Sequence, residues 1–302
     1  MIRILATDGI DKAAAEKLRG LGCELTEQFF EPDELAAQLK EYDAVVVRSA
    51  TKVRQPVIDA AAEAGRLKLI IRGGVGVDNI DVAYAEGKGI AVRNTPNASS
   101  AAVAELAIAH LFTLARHLHE SNVTMRDGKW EKKAYKGVEL AGKTLGLIGF
   151  GRIGKSTADK ARALGMDVVY CDILGPSPSG EGCRYVEQDE LLAVSDFISL
   201  HVPKSDAPII TSAEIAKMKD GVYIVNCARG GLIDDGDLIS ALDSGKVAGA
   251  GLDVFAEEPP KDERICSHPH ISLTPHIGAS TSEAQERIGG EIVAIIAEAF
   301  GL

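Results

Sequence analysis

At 302 residues with a formal net charge of −11, the chain exceeds a comfortable single core, so two domains are expected; its acidity argues against nucleic acid or an anionic membrane as partners. Five cysteines without Cys-x-x-Cys spacing, Cys23, Cys171, Cys183, Cys227 and Cys266, read as reduced thiols. Together with a charged first strand lacking a signal-like apolar stretch, they set the expectation of a cytoplasmic protein. Along the chain, the runs at residues 2–6, 44–47, 69–71 and 90–92 are nearly all apolar, as parallel strands covered on both faces are, and they alternate with helical stretches. Ser99 and Ser100 are placed to cap a long helix, and the apolar stretch 101–115 contains Glu105 and His110, so it reads as a buried helix and not a membrane span. Residues 120–140, polar with Trp130 and several lysines, read as an arm over the active cleft or a subunit contact. His110, His117 and His119 read as surface or interface residues, and Trp130 and Tyr135 as packing residues. Cys266, His268 and His270 crowd around Pro269 without a further ligand, so no metal site is expected.

From residue 144 the alternation resumes. Thr144-Leu145-Gly146-Leu147-Ile148-Gly149-Phe150-Gly151-Arg152-Ile153-Gly154 is an apolar strand running into a Gly-x-Gly-x-x-Gly turn that opens a helix over 152–164. Such glycines permit a tight turn and close approach of the backbone to a pyrophosphate resting on the helix N-terminus. A second strand over 167–170 ends at Asp172, 23 residues after Gly149, near the offset of a carboxylate that binds a ribose 2′-hydroxyl and repels a 2′-phosphate. The cofactor is therefore expected to be NAD rather than NADP. The final helix, 281–300, lies beyond the last strand and is expected to return to the first domain. Both halves read as doubly wound α/β, with domains of 1–97 plus 280–302 and of 98–279, and the cleft between them is the expected active site.

Three polar residues follow strand-like runs late in the chain. Arg229 ends the run from Val222 and precedes Gly230-Gly231; Glu258 follows the run 247–254; His276 follows 271–273. All three are expected at a carboxyl edge, where open α/β sheets bind ligands. A guanidinium fork for a carboxylate, an acid and an imidazole suit reduction of a 2-oxo acid by a hydride that no side chain can supply. His276 is the expected proton donor, Glu258 the group that orients it and favours its charged form, and Arg229 the group that holds the substrate.

The ordered motifs Val47-Arg48-Ser49-Ala50-Thr51-Lys52-Val53, Gly76-Val77-Asp78-Asn79-Ile80-Asp81, Asn94-Thr95-Pro96-Asn97, Asn226-Cys227-Ala228-Arg229-Gly230-Gly231, Leu252-Asp253-Val254-Phe255-Ala256-Glu257-Glu258-Pro259 and Pro275-His276-Ile277-Gly278-Ala279-Ser280 resemble the D-2-hydroxyacid dehydrogenase family, most closely its D-3-phosphoglycerate dehydrogenase branch. The resemblance spans nearly the whole chain, although 204–211 is shorter than the family pattern. It implies a Rossmann-type nucleotide domain and a flavodoxin-like substrate domain. It also implies an NAD-dependent oxidoreductase with Arg229, Glu258 and His276 catalytic, acting on D-3-phosphoglycerate in serine biosynthesis. The alternatives are a glyoxylate or hydroxypyruvate reductase, another D-2-hydroxyacid dehydrogenase, or a non-enzymatic NAD-sensing scaffold. Cofactor contacts are expected from Val75, Gly149, Gly151, Arg152, Ile153, Gly154, Asp172, His201, Val202, Cys227, Ala228, Arg229, Asp253, His276, Gly278 and Ala279. Substrate contacts are expected from Arg48, Ser49, Gly73, Gly74, Asn97, Lys132 and Arg229; Arg48 and Lys132 are the cations for a phosphate, and the amides of the Gly73–Gly76 turn are for a carboxylate. The expected partners are a small-molecule substrate and a second copy of the chain, as a homodimer or higher oligomer. Long phosphoglycerate dehydrogenases append regulatory domains beyond the helix that ends here at Leu302, so no feedback inhibition by serine is expected.

Overall fold

Aliphatic and β-branched runs such as Ala44-Val45-Val46-Val47 cannot leave either face in water, and they form the central strands of two parallel sheets. The computed structural model describes residues 1–302. The chain divides into two compact units, Met1–Ser99 with Ala279–Leu302, and Ser100–Gly278. The first crossing thus lies two residues beyond Asn97, and the second falls before Ala279 rather than after it.

In the first unit the strands are β1 (Arg3–Ala6), β2 (Glu24–Glu27), β3 (Ala44–Val47), β4 (Leu69–Arg72) and β5 (Ala91–Asn94), in the order β2-β1-β3-β4-β5 and parallel throughout. Alternate residues enter opposite cores. Leu5, Val45, Val47 and Ile70 pack with Val57, Ile58 and Ala61 of helix Gln55–Ala64, while Ile4, Ala6, Val46 and Ile71 pack with Ile288, Ile292 and Ile296. Those three isoleucines belong to helix Ser282–Phe300, so the last helix does return to the first sheet. Thr281 caps it, its Oγ1 accepting the Ala284 N–H at 3.1 Å.

The second unit holds β6 (Thr144–Ile148), β7 (Asp167–Cys171), β8 (Arg184–Tyr185), β9 (Phe197–Leu200), β10 (Val222–Asn226), β11 (Val247–Leu252) and β12 (Ile271–Leu273), in the order β12-β11-β10-β9-β6-β7-β8. Strand order reverses direction between β6 and β9, the switch point at which doubly wound sheets bind ligands. Ile148, Ile198, Leu200 and Ile224 fill one core, and Leu145, Leu147, Phe197 and Val225 the other. Helix Ser100–Ala115 covers the second, with Ala107, Leu111 and Leu114 buried.

Several sequence expectations are corrected here. His110 is 2 % exposed, not a surface residue, because it faces hydroxyl groups rather than water. Trp130 is 78 % exposed and packs on no core. Ser100 opens its helix without capping it, its Oγ being buried without a partner. Helix Leu118–Arg126, at the start of the polar segment, buries no residue. No single helix is long and apolar enough to cross a membrane.

Candidate active site

Three loops at the carboxyl edge of the second sheet assemble the predicted polar residues. After β10, Asn226 clamps its own loop: its Oδ1 accepts the Ala228 N–H at 3.0 Å and its Nδ2 donates to the Arg229 carbonyl at 2.8 Å. Gly230 then lets this loop press on the one after β11, since a Cβ there would sit 1.8 Å from the Phe255 carbonyl oxygen. The contact sets Arg229 close enough to Glu258 for its charge to act on that carboxylate.

Glu258 and His276 are both about one-third exposed, and Glu258 Oε2 lies 2.8 Å from His276 Nδ1. The second oxygen, Oε1, accepts the Phe255 N–H at 3.2 Å. Burial works against the ionised carboxylate; it is outweighed by the hydrogen bond and charge of His276, the Phe255 amide and the charge of Arg229, which together hold Glu258 below the usual carboxylate range. His276 has a left-handed backbone, φ 53°, which a non-glycine residue adopts only when its surroundings impose it. The two residues that follow are held by Asp253, 1 % exposed, whose Oδ1 and Oδ2 accept the Ile277 and Gly278 N–H groups at 2.8 and 2.9 Å.

The glycine turn after β6 fits a dinucleotide. Gly149 has φ +95°, and a Cβ on it would lie 2.5 Å from the His201 carbonyl oxygen; a Cβ on Gly154 would lie 2.4 Å from the Gly149 carbonyl. A Cβ on Gly151 would meet nothing within 4 Å, which leaves open space over the N-terminus of helix Arg152–Ala163. No side chain caps that terminus, so its amides can take an anion. Asp172 is fastened to the turn, accepting the Phe150 N–H at 2.7 Å and the Leu174 N–H at 2.9 Å. At the switch point His201 keeps a buried Nδ1 without a partner while its Nε2 meets Ser199 Oγ at 3.0 Å, and burial lowers the imidazole to about 4. Val202 borders Gly149, and the buried Cys227 and Ala228 begin the Arg229 loop.

Of the remaining candidates, Arg48, Ser49, Gly73, Gly74, Val75, Asn97 and Ala279 belong to the first unit, and Lys132 is exposed in the segment after helix Leu118–Arg126. Arg48 sits at the carboxyl end of β3. Asp8 accepts its N–H at 2.6 Å and that of Thr51 at 3.1 Å, and Asn79 Nδ2 donates to both the Arg48 and Thr51 carbonyls at 2.7 Å. The amides of Gly73 and Gly74 donate to the Val47 and Arg72 carbonyls, which leaves only Val75 and Gly76 of that turn for the role assigned to it. Asn226, Asp8 and the part-buried Thr274 were not singled out from sequence; a polar residue at the end of an apolar strand is the signal that marks the first two.

The segment 108–278 matches the family model "D-isomer specific 2-hydroxyacid dehydrogenase, NAD binding domain". A hydroxypyruvate reductase of Thermotoga maritima is 49 % identical over 306 residues, 99 % of both chains. The chain belongs to the D-2-hydroxyacid dehydrogenases. As a member of that family it is an NAD-dependent oxidoreductase. A D-3-phosphoglycerate dehydrogenase of Methanocaldococcus jannaschii is 45 % identical over 96 % of this chain but 56 % of its own, so the chain spans about half the length of that relative. Among solved structures, D-lactate dehydrogenase from Aquifex aeolicus, complexed with NAD and lactic acid, is similar with a TM-score of 0.88 and 32 % identity, covering 99 % of this chain and 96 % of the other.

Proposed function

We propose that this dehydrogenase moves a hydride between NAD and C2 of a three-carbon D-2-hydroxy acid of the glycerate skeleton, with D-3-phosphoglycerate and 3-phosphohydroxypyruvate as the pair it interconverts. The reading is carried by the His276–Glu258 hydrogen bond beside Arg229. The glycine turn and the uncapped N-terminus of helix Arg152–Ala163 would hold NAD, which would supply or accept the hydride. In reduction, Arg229 holds the substrate carboxylate, and the His276 ring, anchored through Nδ1 on Glu258, delivers a proton from Nε2 to the carbonyl oxygen. Glu258, kept ionised, stabilises the charged imidazole before transfer. In oxidation the same ring removes the hydroxyl proton.

Arg48 is assigned to the phosphate, which a guanidinium binds through paired donors. Arg48→Ala is expected to raise KM for 3-phosphohydroxypyruvate about 10-fold or more, the value of one charge-assisted hydrogen bond, with little change for hydroxypyruvate. Equal losses on the two substrates, measured by initial rates, would refute the assignment. The similarity to a hydroxypyruvate reductase favours a second reading, in which the unphosphorylated acid is preferred and Arg48 contributes to neither KM selectively.

The cofactor assignment predicts a contrast between two glycines. Gly149→Ala forces a methyl against a backbone carbonyl at positive φ and is expected to cost about 1–3 kcal/mol of stability, read as a lower thermal midpoint. Gly151→Ala meets no protein atom, so it should melt like the parent while binding NADH more weakly in a fluorescence titration. The exposed apolar side chains Leu118, Val123, Met125 and Trp130 are assigned to contact with a second copy of the chain.

A further inference from the structure

Helix Ser100–Ala115 is mostly aliphatic where it crosses β10, β11 and β12, yet it buries an imidazole there. Room for His110 is made by Gly251 on β11, where a Cβ would come within 2.8 Å of the His110 Cβ and Cγ. The ring bridges two hydroxyls of the β12 segment: Nδ1 lies 3.1 Å from Ser272 Oγ, and Nε2 lies 3.1 Å from Thr274 Oγ1. Thr274 spends its own proton on Asp253 Oδ1 at 2.7 Å, so its oxygen can only accept from His110. The tautomer follows: Nε2 carries the proton and donates to Thr274, and Nδ1 accepts from Ser272. Burial, then the charge of His119, lowers His110 to about 4, which keeps the ring neutral and this direction fixed. The chain therefore runs one way, from Ser272 through His110 and Thr274 to the Asp253 carboxylate, which also holds the two amides that follow His276.

We propose that His110 is a positioning residue for the hydride-transfer site: its Nε2–H locks the Thr274 hydroxyl onto Asp253, and Asp253 in turn fixes the left-handed turn that presents His276. The inference rests on the assignment of His276 as proton donor. Burial pushes Asp253 up, opposed by the Thr274 hydroxyl, the Ile277 and Gly278 amides and the His276 charge. The other titratable group facing it is Cys227 at the end of β10, whose thiol is itself pushed up, first by burial and then by Asp253. Without His110 the Thr274 hydroxyl is free to turn away, and Asp253 then takes up a proton at higher pH. Once protonated, it no longer offers both oxygens to the two amides.

The test is the pH profile of kcat/KM for 2-oxo acid reduction in His110→Leu and His110→Gln, with Thr274→Val and Thr274→Ser as a second pair and thermal midpoints for all four. His110→Leu should move the acid limb up by about one pH unit, the scale of one hydrogen bond to a carboxylate. Thr274→Val should do the same, and the double variant should add little, because both break one chain. His110→Gln, which keeps a donor near the Nε2 position, and Thr274→Ser, which keeps the hydroxyl, should restore the parental limb. Should His110→Leu fail to fold, the threonine pair carries the test. A lower thermal midpoint with the acid limb in place, or no difference between the leucine and glutamine variants, would overturn the proposal. His276→Ala, measured alongside, separates the two claims: full turnover there refutes the proton-donor assignment, whereas its loss with an unmoved limb in the Leu and Val variants refutes only the role of His110.

Discussion

His276→Ala is expected to lower kcat for 2-oxo acid reduction by about 10²- to 10⁴-fold, the usual contribution of a positioned general acid, while NADH binding stays within a few-fold of the parent. The expectation follows from geometry: the ring is anchored at 2.8 Å on Glu258 and its residue is held at φ 53°, which leaves Nε2 as the nitrogen for substrate. Glu258→Gln separates orientation from charge. The amide keeps the shape and a hydrogen-bonding oxygen but cannot stabilise the protonated ring by Coulomb attraction. In the parent, Glu258 is held below the ordinary carboxylate range, so it is ionised across neutral pH, and its support is lost only as pH falls through that lowered value. Glu258→Gln should therefore lower kcat/KM for reduction at neutral pH, where the parent carboxylate is ionised, and differ less from the parent as pH falls through that carboxylate's lowered range, whereas His276→Ala should lose most of the rate throughout. A Glu258→Gln rate equal to the parent's at neutral pH would show that the carboxylate's charge does not support the transfer.

Arg229→Ala is expected to lower kcat/KM by about 10²-fold or more, because it removes charge-assisted hydrogen bonds to the substrate, each worth about 1.5–3 kcal/mol. It also removes one of the charges that hold Glu258 ionised, so part of the loss should appear as a change in pH dependence. Arg229→Lys discriminates between these effects. Lysine restores the positive charge without the planar fork, and should recover the pH profile of the parent while leaving KM for the 2-oxo acid high. Recovery of KM by lysine would mean that the residue acts as a point charge and does not orient the substrate.

The fold was legible wherever a strand is buried on both faces, as in residues 44–47 or 144–148, since an unbroken aliphatic run has few other solutions. Two of the four edge strands, β2 and β8, were not singled out: β2 reads Glu24-Leu25-Thr26-Glu27 and β8 is only Arg184-Tyr185, and neither contains an unbroken apolar run. The candidate site was legible as far as residue types sit at strand ends, which drew attention to Arg229, Glu258, His276 and Asp172. Its supporting bonds were hidden by distance along the chain. His110 lies more than 160 residues from Ser272 and Thr274, so nothing local distinguishes it from an exposed helical histidine. The Gly73 and Gly74 amides read as free donors in a glycine-rich turn, but the parallel register of β3 and β4 carries on past Arg72 and uses the first of them.

The most direct measurement of the central claim is the fate of label from NADH carrying deuterium at both C4 positions, with hydroxypyruvate or 3-phosphohydroxypyruvate as acceptor in ordinary water. Direct hydride transfer at this site predicts one deuterium at C2 of a product with D configuration, and loss of that product in His276→Ala. A product of L configuration, hydrogen from solvent at C2, or undiminished labelled product from His276→Ala would contradict the account.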